Sequence, residues 1–439
     1  MPRGAARPGK CADSALKHAI SKKSRTGDAV TTVPGNGADS AGIDSFYAWT
    51  RLGISLLLAT IGGVGTWAVV VVLPAVQAEF GVDRAAASMP YTATMVGFAA
   101  GNALIGRAID RFGYWIPALA ASLALGAGFL LASLANSILG VTLAQGLLIG
   151  VGCSTIFGPL IADVSHWFNR RRGVAVTVAA SGNYVAGAIW PTVMPYMMQG
   201  HGWRFTYATI GVICLVTMVP LVLLLRRRAP HEGTSGAPRG RPVQPISLSP
   251  SQLQVLLVIA GFGCCMAMSM PQVHIVAYCM DLGYGVAHGA EMLSIMLAAG
   301  VISRIGSGFL ADRIGAVKTL LIGSALQCLS LLFYIPFDGL ASLYVVSLVF
   351  GLSQGGIVPC YAIIVRDYMP AKEAGQRVGI VLMATIFGMA VGGWMSGWIY
   401  DLTGSYAAAF LNGIGWNLVN LGAIALLMWK ANRSAEAIA

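Results

Sequence analysis

The chain has 439 residues, of which 56% are apolar and only 10% are charged. Soluble domains carry about 25% charged residues, so this composition excludes a soluble globular protein and indicates an integral membrane protein. The net charge of +11 would suggest a nucleic-acid partner in a soluble protein, but here the basic residues flank long apolar runs. That placement is typical of membrane proteins, so the partner we expect is the lipid bilayer and not nucleic acid.

The first segment of the chain, residues 1–48, is polar, basic and rich in Gly, Ser and Ala. It contains no apolar stretch of the kind found in a secretory signal peptide. We therefore expect a disordered N-terminal arm. A mitochondrial-type targeting peptide is the alternative, which four aspartates in the arm disfavour.

Twelve apolar runs follow, each close to the ~20 residues with which a helix crosses a bilayer. The polar stretch 226–252, rich in Arg, Pro and Gly, separates six runs from six and predicts a linker. The sequence thus predicts an all-α membrane protein with six-helix halves at 49–225 and 253–430 and a tail at 431–439. The predicted spans are 52–78, 88–109, 115–135, 138–164, 173–198, 204–225, 253–279, 289–311, 317–336, 340–366, 376–400 and 405–429.

Lys and Arg are concentrated in the arm, the linker, the tail and the even-numbered loops. The odd-numbered loops hold only Arg84 and Arg204. Basic loops of membrane proteins stay in the cytoplasm, so both termini and the linker are expected there. We expect a multi-pass monomer in a bacterial plasma membrane.

A motif in the loop after the second span recurs after the eighth span, 202 residues later. The repeat predicts two homologous halves related by a pseudo-two-fold axis along the membrane normal. Its carboxylates can cap neighbouring helices, its arginines can pair with acids across the halves, and its glycines let helices approach closely. We interpret it as a gate; the alternative is a tight turn that carries basic loop charges. The gating residues are Gly106, Asp110, Arg111 and Gly113, with Gly308, Asp312, Arg313 and Gly315.

This repeated motif is the signature of the major facilitator superfamily, which the chain resembles over residues 50–430. A second stretch narrows the resemblance to the monocarboxylate-transporter branch, including its bacterial relatives and the oxalate/formate exchangers. It comprises residues 167–173 (WFNRRRG), 179–183 (AASGN) and 202–204 (GWR). Close packing of the fifth span on a neighbour is expected at its small residues, Ser181, Gly182 and Gly187.

Arg304 is the one arginine deep inside a predicted span. A charge in hydrocarbon costs at least ~2.5–3.5 kcal/mol, so Arg304 is expected to face a cavity or a partner. Eight residues at 1.5 Å each place it about 12 Å from Asp312, close to the membrane midplane. A guanidinium there can bind a carboxylate through two parallel hydrogen bonds. The alternative is a structural ion pair with Glu291 or Asp163.

The resemblance implies an arginine at this position of span eight, an acid one turn earlier and a lysine in span one. This chain has Gly300 one turn before the arginine and Ala75 at the span-one position. Both departures weaken the expectation of the proton coupling usual in the family. His274, which follows the helix-breaking Pro271 in span seven, and Glu291 are the remaining candidates to carry a proton.

The predicted function is secondary active transport of a small organic anion, a monocarboxylate, by alternating access, with protons or a counter-anion as the coupled partner. The alternatives are an exporter of drug-like amphiphiles with the same fold and a non-transporting receptor or sensor. The sequence has no phosphate-binding loop, catalytic constellation or metal-ligand spacing, so no enzyme, cofactor or metal is expected. The predicted substrate-binding residues are Arg304, His274, Gln272, Asn102, Tyr361 and Tyr184.

Overall fold

A computed structural model describes residues 43–227 and 246–436. The predicted arm up to residue 42 and the predicted linker between 228 and 245 lie outside the described residues, as do the last three residues of the predicted tail. Every regular element of the described part is helical. The helices are α1 (Phe46–Phe80), α2 (Arg84–Phe112), α3 (Trp115–Ser133), α4 (Ile138–Ser165), α5 (Arg172–Met198), α6 (Gly202–Leu224), α7 (Pro250–Asp281), α8 (Val286–Ile314), α9 (Ala316–Phe333), α10 (Leu340–Tyr368), α11 (Ala371–Thr403) and α12 (Tyr406–Glu436).

Eleven stretches of the described chain form helices long and apolar enough to cross a membrane, and α2 is the helix outside that set. Small and polar residues interrupt the apolar run of α2, yet its 29 residues extend over about 43 Å, more than the hydrocarbon thickness. The prediction of an all-α membrane protein with twelve long helices is confirmed. The helices extend a few residues beyond most predicted spans, and α12 continues to Glu436, past the predicted end of the second half at 430.

The repeated motif has the same local structure in both halves. Gly113 and Gly315 end α2 and α8 with φ of 76° and 89°, in the region that only glycine adopts without strain. Each amide donates a hydrogen bond to the carbonyl four residues back, at Ile109 and Ala311. The last glycine of the motif therefore stops the helix and turns the chain into the next one.

Helices within each half approach closely where a glycine removes the side chain. A Cβ on Gly97 of α2 would lie 1.9 Å from the carbonyl oxygen of Gly146 in α4. A Cβ on Gly355, at the break within α10, would lie 2.1 Å from the carbonyl oxygen of Gly300 in α8. The second and fourth helices of each half thus meet backbone to backbone.

The two ends of the bundle can be told apart by contacts between helix ends. We call the end that holds the start of α1 and the ends of α6 and α12 the terminal face. There Arg51 Nη1 donates to the carbonyl of Leu225 over 3.2 Å. We call the opposite end, which holds Arg84, Asp281, Asp401 and Tyr406, the distal face.

Contacts between the two halves are found from the distal face to the middle of the bundle. On α2 and α11, Thr92 Oγ1 donates to the carbonyl of Ala390 over 3.0 Å. On α5 and α8, Thr192 Oγ1 donates to Ser294 Oγ over 2.8 Å. Each of these four helices has a glycine nearer the terminal face at which an added Cβ would meet no described atom within 4 Å. These glycines are Gly106, Gly173, Gly308 and Gly379. In the part of the chain that the structure describes, the bundle is closed on the distal face and open on the terminal face.

Candidate substrate site and gates between the halves

A cavity of about 130 Å³ lies between the two halves near the middle of the helices. Binding sites of two-fold repeated transporters lie at this place, where the repeats meet at the membrane midplane. None of the described residues that line the cavity is charged. The first half contributes Trp67, Tyr91, Met95, Phe98, Asn183 and Tyr184, and the second half contributes Cys265, Met268, Gln272, Thr385, Ile386 and Met389.

Arg304 reaches this cavity through Tyr184. Its guanidinium carbon lies 4.4 Å from the centroid of the Tyr184 ring, a distance suited to a cation–π contact. Nη1 donates to the carbonyl of Ala180 in α5 over 3.0 Å, and Nε donates to the carbonyl of Gly355 over 3.3 Å. A guanidinium has five N–H groups, so these two bonds leave three donors, enough for a carboxylate.

Packing explains why position 300, one turn before Arg304, holds a glycine and not an acidic residue. A Cβ on Gly300 would lie 2.5 Å from Cε1 of Tyr184, so a side chain at this position would displace the ring. The tyrosine ring occupies the space in which a carboxylate could have neutralised Arg304. The cation therefore faces an aromatic ring and two carbonyl groups, with no acidic partner among the described residues.

The alternative interpretation of Arg304, a structural ion pair with Glu291 or Asp163, is wrong. Asp163 pairs instead with Arg51, whose Nε and Nη2 lie 2.9 and 3.0 Å from its two carboxylate oxygens. Glu291 lies at the distal end of α8, where it accepts a hydrogen bond from Tyr344 and faces His288 over 3.5 Å. Both acids have partners of their own far from the cavity.

The other predicted binding residues divide into two groups. Gln272 and Tyr184 line the cavity, and Gln272 Nε2 donates to Gln354 Oε1 over 2.6 Å. His274, Asn102 and Tyr361 are not among the residues that line it. Asn102 Nδ2 bonds the carbonyl of Phe98 over 2.9 Å, and the Tyr361 hydroxyl bonds Asn420 Oδ1 over 2.9 Å.

His274 is fully buried between the cavity and the distal face. Its Nε2 lies 2.7 Å from the carbonyl oxygen of Gly393, and its Nδ1 lies 3.4 Å from the hydroxyl of Tyr406. Both ring nitrogens thus have partners within the second half. The role of His274 as a proton carrier stays a prediction.

The predicted gate on the terminal face is not engaged in this conformation. Arg111, Asp312 and Arg313 are exposed, and none of them forms an ion pair with a residue whose side chain the structure describes. The side chain of Asp110 lies outside the described part. The close helix approach expected at Gly106 and Gly308 is absent, because a Cβ at either position would meet no atom within 4 Å.

Close packing of the fifth helix, in contrast, is confirmed. A Cβ on Gly182 would lie 2.3 Å from the Cβ of Ala59 in α1, within the first half. A Cβ on Gly187 would lie 2.3 Å from Leu297 of α8 and 2.9 Å from Trp67 Nε1. Gly187 therefore brings α5 of the first half against α8 of the second half.

The distal face carries a charged contact between the halves that sequence reasoning missed. We call it the distal latch; it comprises Arg84 of the first half with Asp281, Tyr400, Asp401 and Tyr406 of the second half. Arg84 Nη2 lies 3.2 Å from Asp281, Nη1 donates to the Tyr406 hydroxyl, and the guanidinium carbon lies 4.8 Å from the Tyr400 ring centroid. The backbone amide of Arg84 donates to Asp401 over 2.9 Å.

Asp401 also accepts the amide of Ala85 over 2.7 Å, so a carboxylate of the second half caps the start of α2 in the first half. The free amides and the positive end of a helix favour such an anion. Sequence analysis expected a carboxylate cap between helices at the terminal face, and the structure has one on the distal face. The sequence contained one signal for this contact between the halves. Charged or tyrosine residues stand in the distal loops between spans one and two, between spans seven and eight, and between spans eleven and twelve.

Arg51 is the second residue that sequence reasoning missed. It directly precedes the first predicted span, which begins at residue 52, whereas α1 begins at Phe46. Arg51 is 1% exposed and binds both oxygens of Asp163, which makes it a structural ion pair within the first half.

Comparisons with known proteins agree with this fold. A bacterial homologue of the human lysosomal transporter Spinster, solved in an inward-facing conformation, superposes with a TM-score of 0.68 at 12% identity, over 89% of this chain and 98% of that one. The nucleoside transporter NupG superposes with a TM-score of 0.69 at 13% identity, over 87% of this chain and 99% of that one. At these identities the similarity concerns the fold alone.

Sequence relatives include monocarboxylate transporters of animals and transporters of fungi. Monocarboxylate transporter 13 of Rattus norvegicus is 27% identical over 65% of this chain and 66% of its own length. The MFS transporter asaE of Aspergillus flavus is 24% identical over 65% of this chain and 64% of its own length. The chain thus spans just under two thirds of the relatives it matches.

The profile of the Major Facilitator Superfamily matches residues 55–337 and 290–438, which together cover nearly all of the described helices. Both halves of the bundle fall within these matches, and each half carries one copy of the repeated motif. The resemblance first seen in that motif is confirmed by a match over most of the length. With its twelve helices in two halves and a cavity between them, the chain is a multi-pass membrane protein that belongs to the Major Facilitator Superfamily.

Proposed function

We propose that the protein transports a small organic anion, a monocarboxylate, by alternating access, with Arg304 as the residue that binds the carboxylate. The observation that carries the proposal is an arginine near the middle of α8 that has no acidic partner among the described residues and stacks on a cavity-lining tyrosine. A half-buried cation in a membrane helix, with no acid beside it, is suited to bind an anion. Named relatives that are monocarboxylate transporters support the same substrate class.

The test is equilibrium binding of small carboxylates to purified protein and its Arg304 variants. Arg304→Lys keeps the charge but loses the planar pair of donors, so affinity should fall by about 1.5–3 kcal/mol, roughly ten- to 150-fold. Arg304→Ala should abolish carboxylate binding. Because no described acid would be stranded, its melting temperature should change little, which separates a binding role from a structural one. Carboxylate binding that survives in Arg304→Ala would overturn the proposal.

We further propose that the terminal face is cytoplasmic, as the distribution of Lys and Arg indicates, and that the membrane is the bacterial plasma membrane. The conformation described here would then be open to the cytoplasm and closed by the distal latch on the outside. Labelling of single cysteines at exposed loop positions in intact cells tests this orientation. Reagents that do not cross the membrane should label distal loops and leave terminal loops unlabelled.

For the coupled partner, we propose anion exchange in preference to proton symport. Gly300 provides no acid beside Arg304, and both ring nitrogens of His274 already have partners in the second half. In vesicles, uptake should be accelerated by internal substrate, and an imposed pH gradient should not drive it. A pH gradient that drives uptake, with loss of that effect in His274→Gln or Glu291→Gln, would favour proton symport instead.

A second candidate function is export of amphiphilic compounds. It is favoured by the apolar and aromatic lining of the cavity and by fungal relatives such as the fujikurins efflux protein of Gibberella fujikuroi, which is 27% identical over 58% of this chain. Neutral amphiphiles that bind more tightly than their carboxylate analogues, with affinity unaffected by Arg304→Ala, would select this function.

A further inference from the structure

The shape of the central cavity restricts the body of the substrate. Its volume is about 130 Å³, and an apolar protein cavity of about 150 Å³ is known to take up benzene. A two-carbon or three-carbon acid would leave much of this space unfilled. A single six-membered ring matches it.

The chemistry of the walls favours the same conclusion. Three of the lining residues from the first half are aromatic side chains with buried rings, Trp67, Tyr91 and Tyr184. Aromatic walls stabilise a bound ring by offset or edge-to-face contacts, worth about 0.5–1.5 kcal/mol beyond the buried area. Met95, Met268 and Met389 add flexible apolar surface that adapts to a flat ligand.

The position of Arg304 gives the ligand a direction. Arg304 lies one turn closer to the terminal face than Gly300, against which the Tyr184 ring packs. Four of the other lining residues, Met268 and Gln272 on α7 and Ile386 and Met389 on α11, lie further towards the distal face. A carboxylate bound by Arg304 would therefore have its apolar body directed into the cavity.

From these observations, and resting on the proposed function, we infer that the transported anion is a monocarboxylate with an aromatic or other six-membered ring as its body. Arg304 binds the carboxylate, and the cavity of Trp67, Tyr91, Met268 and Met389 binds the ring. Short aliphatic acids such as acetate and lactate are poor ligands because they leave the cavity empty. The substrate class is thus set by the cavity and by Arg304, both of which adjoin Tyr184.

Isothermal titration of the purified full-length protein with four probes tests the inference: benzoate, phenylacetate, acetate and the neutral analogue benzamide. One methylene in an apolar pocket changes affinity by about 10- to 200-fold, so the ring acids should bind at least tenfold more tightly than acetate. Benzamide should bind at least tenfold more weakly than benzoate, because it lacks the charge that Arg304 neutralises.

A cavity-filling variant shows where the ring binds. Met389→Trp places a large ring in the cavity and should weaken benzoate binding at least tenfold while acetate binding changes less than twofold. Met198→Trp, at the distal end of α5 and outside the cavity lining, is the matched control and should change neither affinity. Retained acetate binding by Met389→Trp also shows that the variant is folded.

The outcomes separate the inference from the function on which it rests. Acetate that binds as tightly as benzoate, or benzoate affinity unchanged in Met389→Trp, would overturn the ring assignment and leave anion transport standing. Benzamide that binds as tightly as benzoate would overturn the anion assignment itself. Tight binding of the ring acids that is lost in Arg304→Ala and in Met389→Trp would support the ring assignment and the anion assignment together.

Discussion

Removing the side chain of Arg84 should open the distal face. Arg84→Ala deletes the contacts to Asp281, Tyr400 and Tyr406 but keeps the backbone bond to Asp401, so the start of α2 remains capped. The lost hydrogen bond to the Tyr406 hydroxyl involves a charged donor and is worth about 1.5–3 kcal/mol. The cation–π contact adds about 0.5–1 kcal/mol, and the partly exposed ion pair adds less than about 1 kcal/mol.

These contacts join the two halves, so they exist only while the distal face is closed. Their loss should shift the equilibrium between closed and open distal faces by about 2–5 kcal/mol, or roughly 30- to 5,000-fold. Spin labels attached to cysteines at Asn136 and Pro336, in exposed distal loops of the two halves, report the distance between the halves. Pulsed electron paramagnetic resonance on Arg84→Ala should show a population with a longer distance between the two labels, one that is rare in the native protein.

The matched control is Arg204→Ala. Arg204 lies at the same face and pairs with Glu79 over 2.7 Å, but both residues belong to the first half. Its removal costs a salt bridge that is more exposed than that of Arg84, without loosening any contact between the halves. A distance distribution that is the same in native protein, Arg84→Ala and Arg204→Ala would refute the latch, and a shift in both variants would show that the effect is not specific to the contact between the halves.

Three further changes have distinct expected results. Asp312→Asn should slow transport several-fold and leave substrate affinity unchanged, because it alters the terminal gate and not the cavity. Loss of equilibrium binding, as expected for Arg304→Ala, would contradict a gating role. Arg51→Ala should lower the free energy of unfolding by about 3–5 kcal/mol because it strands a buried carboxylate, and a melting temperature close to that of the native protein would count against a structural ion pair. Gly300→Ala should push the Tyr184 ring away from the guanidinium and weaken carboxylate binding, whereas Gly306→Ala, which meets no atom within 4 Å on the same helix, should not; equal affinities in the two variants would argue against the packing explanation.

The fold could be predicted from the sequence because hydrocarbon imposes one solution on each long apolar run. The same rule failed at the edges of the runs, where charged residues enter the helix. Arg51 falls outside the predicted first span because the hydrophobic pattern begins after it, although a partner in α4 allows it to be buried. A hydrophobic pattern counts apolar residues alone, so it does not detect a helix end that carries paired charges.

The candidate site was predictable only in part, for a related reason. Arg304 could be identified because it interrupts an apolar run, and a midplane charge requires an explanation. The cavity lining could not be identified, because aromatic residues in a helix bundle look alike whether they line a cavity or fill the core. The distal latch depends on residues near positions 84, 281 and 401, which are brought together only by the arrangement of the two halves.

The aromatic neighbour of Arg304 has a consequence for the electrical behaviour of the carrier. Arg304 faces Tyr184 and no acid among the described residues, so under the proposed function the empty site would hold a net positive charge and a bound monoanion would make it neutral. The two forms therefore differ by one elementary charge in the membrane field, where 100 mV is worth about 2.3 kcal/mol per charge. The loaded carrier should change conformation at a rate independent of voltage, whereas the empty carrier should be held back or driven by the membrane potential. Exchange of one anion for another would then carry no current, and net movement in one direction would.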